Sequence, residues 1–573
     1  MLFLNFFSTI VLLTNYAVAL PFDDSERLRQ PLRQHKYVKR QQSVDYFSNH
    51  ASSPTLQWYP CYDSLNYKCA RLEVPFDYSK PKQGDIFKLA IVKVPAKPDV
   101  PYLGTFWLIQ DFEGNVDFTV QVAQFYQAAG LGGYDFISWD SRAAGHTTPT
   151  LQCFPDQTSF TAYAQRGGGF DLQLGGFNGS FPPTDKNIRE NIKSVSDYME
   201  ELGEGCKRHF SKYLPYMGSV DNARDLNNII SQLPTGTFTN LYFYSYQTVL
   251  GATYAAMFPD NFDRMTLDGV VDAAKVYDRG DNDQVRIQDG EKAVQAFFDS
   301  CAASAPCTEN QPLFTCSGCY FWAPTANGVK ARYEALKGKY YNTVFKSNPP
   351  SPVCGDCSHS YFGVARDLLD ATANPAGALP LAMIKSNFLL ELELGHAIPG
   401  GAMEFFNTAF PPEVTLQPYQ TALRCLDQDK SINGQGSFQR YLEGMNSTSS
   451  QAGAYMAARE LECSNWPNSE KLKNPFKGSM KNVITKNNML FISNTADPLT
   501  SVANAQAMSA RFTKSTVLTI NGLGHTTFFS GDSACLNAYR SNYLSAGTLP
   551  PAGSFCNDIP NGAFGVPYQH DYR

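Results

Sequence analysis

Apolar and polar positions along the chain follow two rules. Residues 69–78 (Cys-Ala-Arg-Leu-Glu-Val-Pro-Phe-Asp-Tyr) and 87–95 (Phe-Lys-Leu-Ala-Ile-Val-Lys-Val-Pro) alternate, as half-buried antiparallel strands do. Short unbroken apolar runs follow at 105–110, 135–139, 242–244, 264–267, 489–492 and 516–520. Bounded by turn residues, such runs predict central parallel strands covered on both faces. Residues 247–257 place Gly251, Ala252, Ala255 and Ala256 on the packing side of a predicted helix. Strands alternating with helices predict an α/β fold with a mostly parallel sheet. From about 275 to 430 the pattern shifts to helix-like stretches (290–302, 328–337, 361–373 and 378–394) with Cys-, Pro- and Gly-rich connections, and the sheet pattern resumes near Lys481. That predicts a helical cap inserted over the C-terminal edge of the sheet, where open α/β folds place ligands.

Composition narrows the class. The 573 residues are 43% apolar and 13% aromatic, enough for a sizeable core. Net charge is −6, from 47 basic and 53 acidic residues with no basic stripe, so nucleic acid is not an expected partner. Met1 to Ala19 is an apolar run closing in Ala17-Val18-Ala19, which predicts a signal peptide and export, with no membrane anchor after cleavage. Residues 20–40 end in Lys39-Arg40 and read as a propeptide or as an uncleaved tail. The expected organisation is then a core in two parts, 41–275 and 431–573, around a cap at 276–430.

Fourteen cysteines in an exported chain argue for disulfides, with Cys61/Cys69 and Cys301/Cys307 as natural neighbours. Cys316-x-x-Cys319 and Cys354-x-x-Cys357 outline a zinc ribbon, but the 34 residues from Tyr320 to Val353 exceed the usual gap of about 15–20. Disulfides are therefore expected here, with no metal and no cofactor. Sequons at Asn178 and Asn446 predict surface glycosylation in a secreted, extracellular protein.

The candidate chemistry lies at strand ends. Ser245 follows the run at 241–244, Asp497 follows 489–494 and His525 follows 517–520, in the chain order nucleophile, acid, base. A Ser hydroxyl needs His to take its proton, and His needs a carboxylate to fix its tautomer and stabilise its charge. Hydrolases with such an order carry the Ser as Gly-x-Ser-x-Gly on a strained strand-to-helix turn. Here Phe243 and Gln247 replace the glycines, which predicts that strand and helix are forced apart or the turn relaxed. His146 reads as structural, Asp268 and Asp272 as loop-anchoring carboxylates, and Tyr246 as the one member of its aromatic run that touches the site.

Trp58-Tyr-Pro-Cys61, Cys69 to Tyr78, Trp139-Asp140-Ser-Arg142-Ala-Ala-Gly145, Phe258 to Asp272 and the tail from Asn494 to Cys556 together resemble secreted tripeptidyl aminopeptidases of the prolyl-aminopeptidase class. The resemblance runs from about 57 to 560 and is weaker across the cap. It implies an α/β-hydrolase fold with a helical cap, Ser245 as nucleophile, Asp497 as acid, His525 as base, and release of short peptides from free N-termini. The family's glycine-rich oxyanion loop aligns to Ile109-Gln-Asp-Phe-Glu-Gly-Asn115, so the oxyanion donors would be the amides of Tyr246 and of Asp111 or Phe112, with Glu113 adding unfavourable charge. Carboxylates for a substrate amine are sought in the cap, at Glu391, Glu393 and Glu404. An esterase or lactone hydrolase on a small molecule is an alternative. A pseudohydrolase that holds a ligand under its cap without turnover is another.

Overall fold

The computed structural model describes residues 46–62, 64–82, 84–110, 115–166, 185–278, 283–308, 311, 316, 318–339, 368–369, 371–373, 381–394, 418–428, 435–449, 452–463, 466–467, 471–528, 533–558 and 563–566. The chain divides into two compact units, one of Met1–Leu108, Gly114–Thr150 and Asn228–Phe238, the other of Ile109–Glu113, Leu151–Asn227 and Thr239–Arg573.

In the first unit the strands are β1 (Tyr59–Cys61), β2 (Ser64–Pro75), β3 (Ile86–Val94), β4 (Gly104–Ile109) and β5 (Tyr134–Trp139), with helix α1 (Asn115–Tyr126) between β4 and β5. β1, β2, β3 and β5 pair antiparallel in that order, and β5 pairs parallel with β4. The alternating segments are thus the antiparallel β2 and β3. Leu72 and Val74 are buried on β2, Phe87 and Leu89 on β3, while Glu73 and Lys88 stay partly exposed. The turn after β5 is tied down by polar groups. Asp140 accepts the amides of Val116 (3.1 Å) and His146 (2.8 Å), and burial pushes its carboxyl up to about 6. Arg142, fully buried, donates to the carbonyls of Phe76 (2.9 Å) and Pro75 (3.0 Å) and lies over the rings of Tyr78 and Phe87.

The second unit holds α2 (Gln157–Arg166), α3 (Asp185–Phe210), α4 (Ser219–Ser231, to Asn227), β6 (Thr239–Tyr244), α5 (Gln247–Met257), β7 (Arg264–Asp268), α6 (Ala273–Tyr277), α7 (Gly290–Ala303), α8 (Ala326–Lys339), α9 (Leu381–Leu394), α10 (Pro418–Asp427), α11 (Gln435–Thr448), α12 (Ala452–Leu461), β8 (Met489–Ala496), α13 (Val502–Ser509), β9 (Ser515–Leu523), α14 (Ala534–Ala546) and β10 (Phe555–Cys556). β6 to β10 pair in sequence order, all parallel. β6 and β8 are buried at every position, which is why they read as unbroken apolar runs. The chain has the α/β-hydrolase fold.

Leu490 and Ile492 of β8 and Leu518 and Ile520 of β9 share one core with Phe297 and Phe298 of α7, Tyr333 of α8, Phe388 of α9 and Tyr543 of α14. Part of the 276–430 stretch thus packs against β8 and β9. Burying these rings against β-branched and Leu side chains is worth about 1.5–3 kcal/mol each.

Six disulfides join described cysteines: Cys61–Cys69, Cys153–Cys206, Cys301–Cys319, Cys307–Cys316, Cys425–Cys463 and Cys535–Cys556. The expected Cys61–Cys69 pair is present, but Cys301 and Cys307 do not pair with each other. Cys301 lies buried in the last turn of α7, where Cys319 meets it, and Cys307 instead pairs with Cys316, nine residues on. Cys316 and Cys319 are thus engaged in sulfur–sulfur bonds, which removes half of the zinc outline, while Cys354 and Cys357 lie outside the described residues. No described helix is long and apolar enough to cross a membrane.

Candidate active site

Ser245 sits directly after β6 with φ +53°, a left-handed conformation that an L-residue adopts only at a cost of about 1–3 kcal/mol. The turn is held by its surroundings. The Ser245 amide donates to the Asp268 carbonyl (3.0 Å), and the Thr248 amide donates back to the Ser245 carbonyl (3.0 Å). Of the two outcomes expected from Phe243 and Gln247, strand and helix forced apart or the turn relaxed, the turn is not relaxed, since Ser245 keeps its left-handed conformation. Phe243 is fully buried, and a Cβ placed on Gly251 would lie 2.7 Å from its Cδ2. The room usually made beside the Ser is made one turn inside α5, where Gly251 lets the Phe243 ring fit. Gln247 opens α5 and is buried.

The other two residues converge on Ser245. His525 Nε2 lies 2.8 Å from Ser245 Oγ, and His525 Nδ1 lies 2.9 Å from Asp497 Oδ2 and 3.1 Å from Oδ1. Asp497 is fully buried at the end of β8. Its Oδ1 accepts the amides of Leu499 (2.8 Å) and Thr500 (2.9 Å), and its Oδ2 accepts the Thr500 hydroxyl (2.7 Å). A buried carboxylate with this many donors stays oriented toward the imidazole. Asn494 fixes the histidine loop by donating to the carbonyls of Gly524 (2.8 Å) and Thr526 (2.9 Å).

Asp268 acts on the same loop from β7. It accepts the Thr527 amide (3.0 Å) and the Tyr242 hydroxyl (2.9 Å), and burial raises its pKa above the ordinary carboxylate value. Gly269, at φ +67°, passes close to the histidine: a Cβ there would meet Thr526 Cγ2 at 2.6 Å and His525 Cε1 at 3.2 Å. Asp272 caps α6 through the amides of Ala274 (3.1 Å) and Lys275 (3.3 Å). Both carboxylates therefore anchor loops, and Tyr242, Phe243 and Tyr244 are core.

A small pocket is lined in part by Tyr246, Asp272, Lys275, Arg286, Arg424 and Glu460. Sequence reasoning missed this charged wall, and also Thr500 and Asn494. Of the expected amine-binding carboxylates, Glu393 is paired with Arg332 and Glu391 is buried on α9, while Glu404 lies outside the described residues. Asp111 and Phe112, expected as oxyanion donors with Tyr246, also lie outside the described residues, as does the sequon Asn178. Asn446 is half-buried within α11 rather than on a loop.

Residues 449–556, which carry Asp497 and His525, match the family described as TAP-like protein. That segment of the chain is similar to this family. It is 24% identical to serine protease Hip1 of Mycobacterium tuberculosis over 532 residues, covering 87% of this chain and 91% of that protein. It is 26% identical to the tripeptidyl aminopeptidase of Streptomyces lividans over 251 residues, covering 39% of this chain and 40% of that one. Carboxylesterase B of M. tuberculosis is 24% identical over 534 residues, covering 88% of this chain and 90% of that protein. This serine hydrolase thus shares its TAP-like segment with its candidate acid and base.

Proposed function

We propose that Ser245, His525 and Asp497 are the catalytic triad of an exported, aminopeptidase-like hydrolase that cleaves short peptides through an acyl-enzyme. The observation that carries the reading is the 2.8 Å separation of Ser245 Oγ and His525 Nε2, with Asp497 on the other ring nitrogen. Ser245 Oγ attacks the substrate carbonyl as its proton passes to His525 Nε2. Asp497 stabilises the imidazolium, and the amide of Tyr246, with that of Asp111 or Phe112, holds the oxyanion. Collapse of this intermediate breaks the C–N bond, and His525 gives its proton to the leaving amine. Water then attacks the acyl-enzyme, losing a proton to His525, which returns it to Ser245 as the acid departs.

A tripeptidyl aminopeptidase among the relatives supports a peptide substrate. The carboxylesterase relative favours the ester reading, which predicts faster turnover of short-chain nitrophenyl esters than of peptides. Peptidyl nitroanilides with free and with acetylated N-termini test the proposal: the free form should be cleaved, and acetylation should abolish cleavage. Cleavage of esters alone would overturn the peptide assignment. Mass spectrometry of protein recovered from the medium should find an N-terminus at Leu20 or Gln41, and an intact Met1 there would overturn the export assignment.

A further inference from the structure

The Tyr246 hydroxyl ends in a buried cluster that no catalytic step above uses. It donates to Asp427 Oδ2 at 3.3 Å. Asp427 is the last residue of α10, and it also accepts the amide (2.8 Å, at Oδ1) and hydroxyl (2.6 Å, at Oδ2) of Ser219, the first residue of α4. One carboxylate therefore joins the end of α10, the start of α4 and the residue after Ser245, and all three residues are buried. Resting on the proposed role of Ser245, we infer that Asp427 is a positioning residue for the nucleophile turn, holding the Tyr246 peptide in place through its side chain.

The turn needs such a restraint. Ser245 is strained, and Tyr246 precedes the first residue of α5, where amides have no partner within the helix. A phenol anchored at its far end limits rotation of the peptide whose amide would face the oxyanion. Arg424, three residues before Asp427, and Gln428, directly after it, both line the pocket, so the anchor joins the pocket wall to the turn.

The anchor depends on the charge of Asp427, because a protonated carboxyl gives up an acceptor position. Burial raises the Asp427 pKa to about 6, against the opposing hydrogen bonds from Ser219 and Tyr246. The groups facing the cluster are Ser219 of α4, Tyr246 of the turn, Tyr277 of α6 (bonded to Thr253 at 2.8 Å), Arg286, and Arg424 of α10 paired with Glu462. Above pH 6 Asp427 is ionised and the anchor is set; below it the anchor loosens.

The test is the rate at which a fluorophosphonate labels Ser245 as a function of pH, in the full chain and in Asp427→Asn. In the natural protein the acid limb should fall with a slope approaching two, one proton from His525 and one from Asp427. Asp427→Asn should label about tenfold more slowly at pH 8, because a displaced oxyanion donor loses part of the 10²–10³ effect of deleting one. Its acid limb should have a slope near one. If Asp427→Asn does not fold, Tyr246→Phe carries the test, with the same slowing and the same shallower limb. An unchanged rate, or slower labelling with an unaltered limb, overturns the inference. A natural protein that takes no label overturns the triad reading and this inference with it.

Discussion

Among the described residues a carboxylate stands beside a histidine in two places, and only one has the makings of an active site. In the second unit Asp497 contacts His525 Nδ1 at 2.9 Å, and Ser245 Oγ occupies the other ring nitrogen at 2.8 Å. In the first unit Asp117 contacts His146 Nε2 at 3.0 Å, but its other oxygen takes the Tyr62 hydroxyl at 2.5 Å, and the His146 ring packs on Phe47. Asp497 is fully buried among amide and hydroxyl donors, while the Asp117 side chain is 42% exposed. A His–Asp pair alone is thus no sign of catalysis. What differs is a Ser hydroxyl held on the imidazole itself, and a carboxylate dry enough for its charge to act at full strength on that ring.

The sharpest way to break the comparison is to neutralise each carboxylate in turn. Asp497→Asn should slow fluorophosphonate labelling about 10⁴-fold, as loss of the correct histidine tautomer does in triad enzymes. Asp117→Asn should leave it within about threefold, since a half-exposed ion pair contributes little. Similar effects from the two would contradict the contrast.

The packing behind the strained turn comes next. Phe243→Gly should destabilise the protein by about 3–5 kcal/mol, the scale of emptying a buried aromatic site, and should not speed labelling. Urea unfolding and the labelling rate check this. Faster labelling would mean that Phe243 distorts the turn rather than filling the space over Gly251.

In the first unit the turn after β5 carries a pH signature. The folded-state pKa of Asp140 is raised to about 6 from its ordinary 3.8 by burial. Its contribution to stability is therefore fully present below about 3.8, declines as the pH rises and is lost above about 6. The stability difference between Asp140→Asn and the natural protein should shift in favour of the variant up to that pH and then level, in urea unfolding from pH 4 to 7. A difference independent of pH would contradict it. Smaller still, Thr500→Val removes one of the donors to Asp497 and should slow labelling about tenfold with little change in melting temperature, the scale of one lost hydrogen bond to a charged group. An unchanged rate would show that the remaining amides suffice.

Much of this was legible in the sequence. The alternating segments became β2 and β3, the unbroken runs became strands, largely buried except at 516–520 of β9, and three residues at strand ends came together, because burial period and strand-end position are local signals. Trp139 to Gly145 read as a family turn, and its buried Asp140 and Arg142 explain why such residues stand there. What stayed hidden depends on partners distant in sequence or in kind. That Gly251 makes room for Phe243 requires the strand and helix to be packed already. That Cys301 meets Cys319 rather than Cys307 shows only once the chain is folded. Asp427 looks like any acidic helix end until α4 and the nucleophile turn are seen to meet it, and Thr500 looks like an ordinary turn residue.

The central claim is that Ser245 is a nucleophile activated by His525, and peptide mapping after treatment with a fluorophosphonate tests it most directly. The account predicts one adduct, on the peptide containing Ser245, absent in Ser245→Ala and nearly absent in His525→Ala. An adduct on another residue, or equal labelling of Ser245 in His525→Ala, would contradict it.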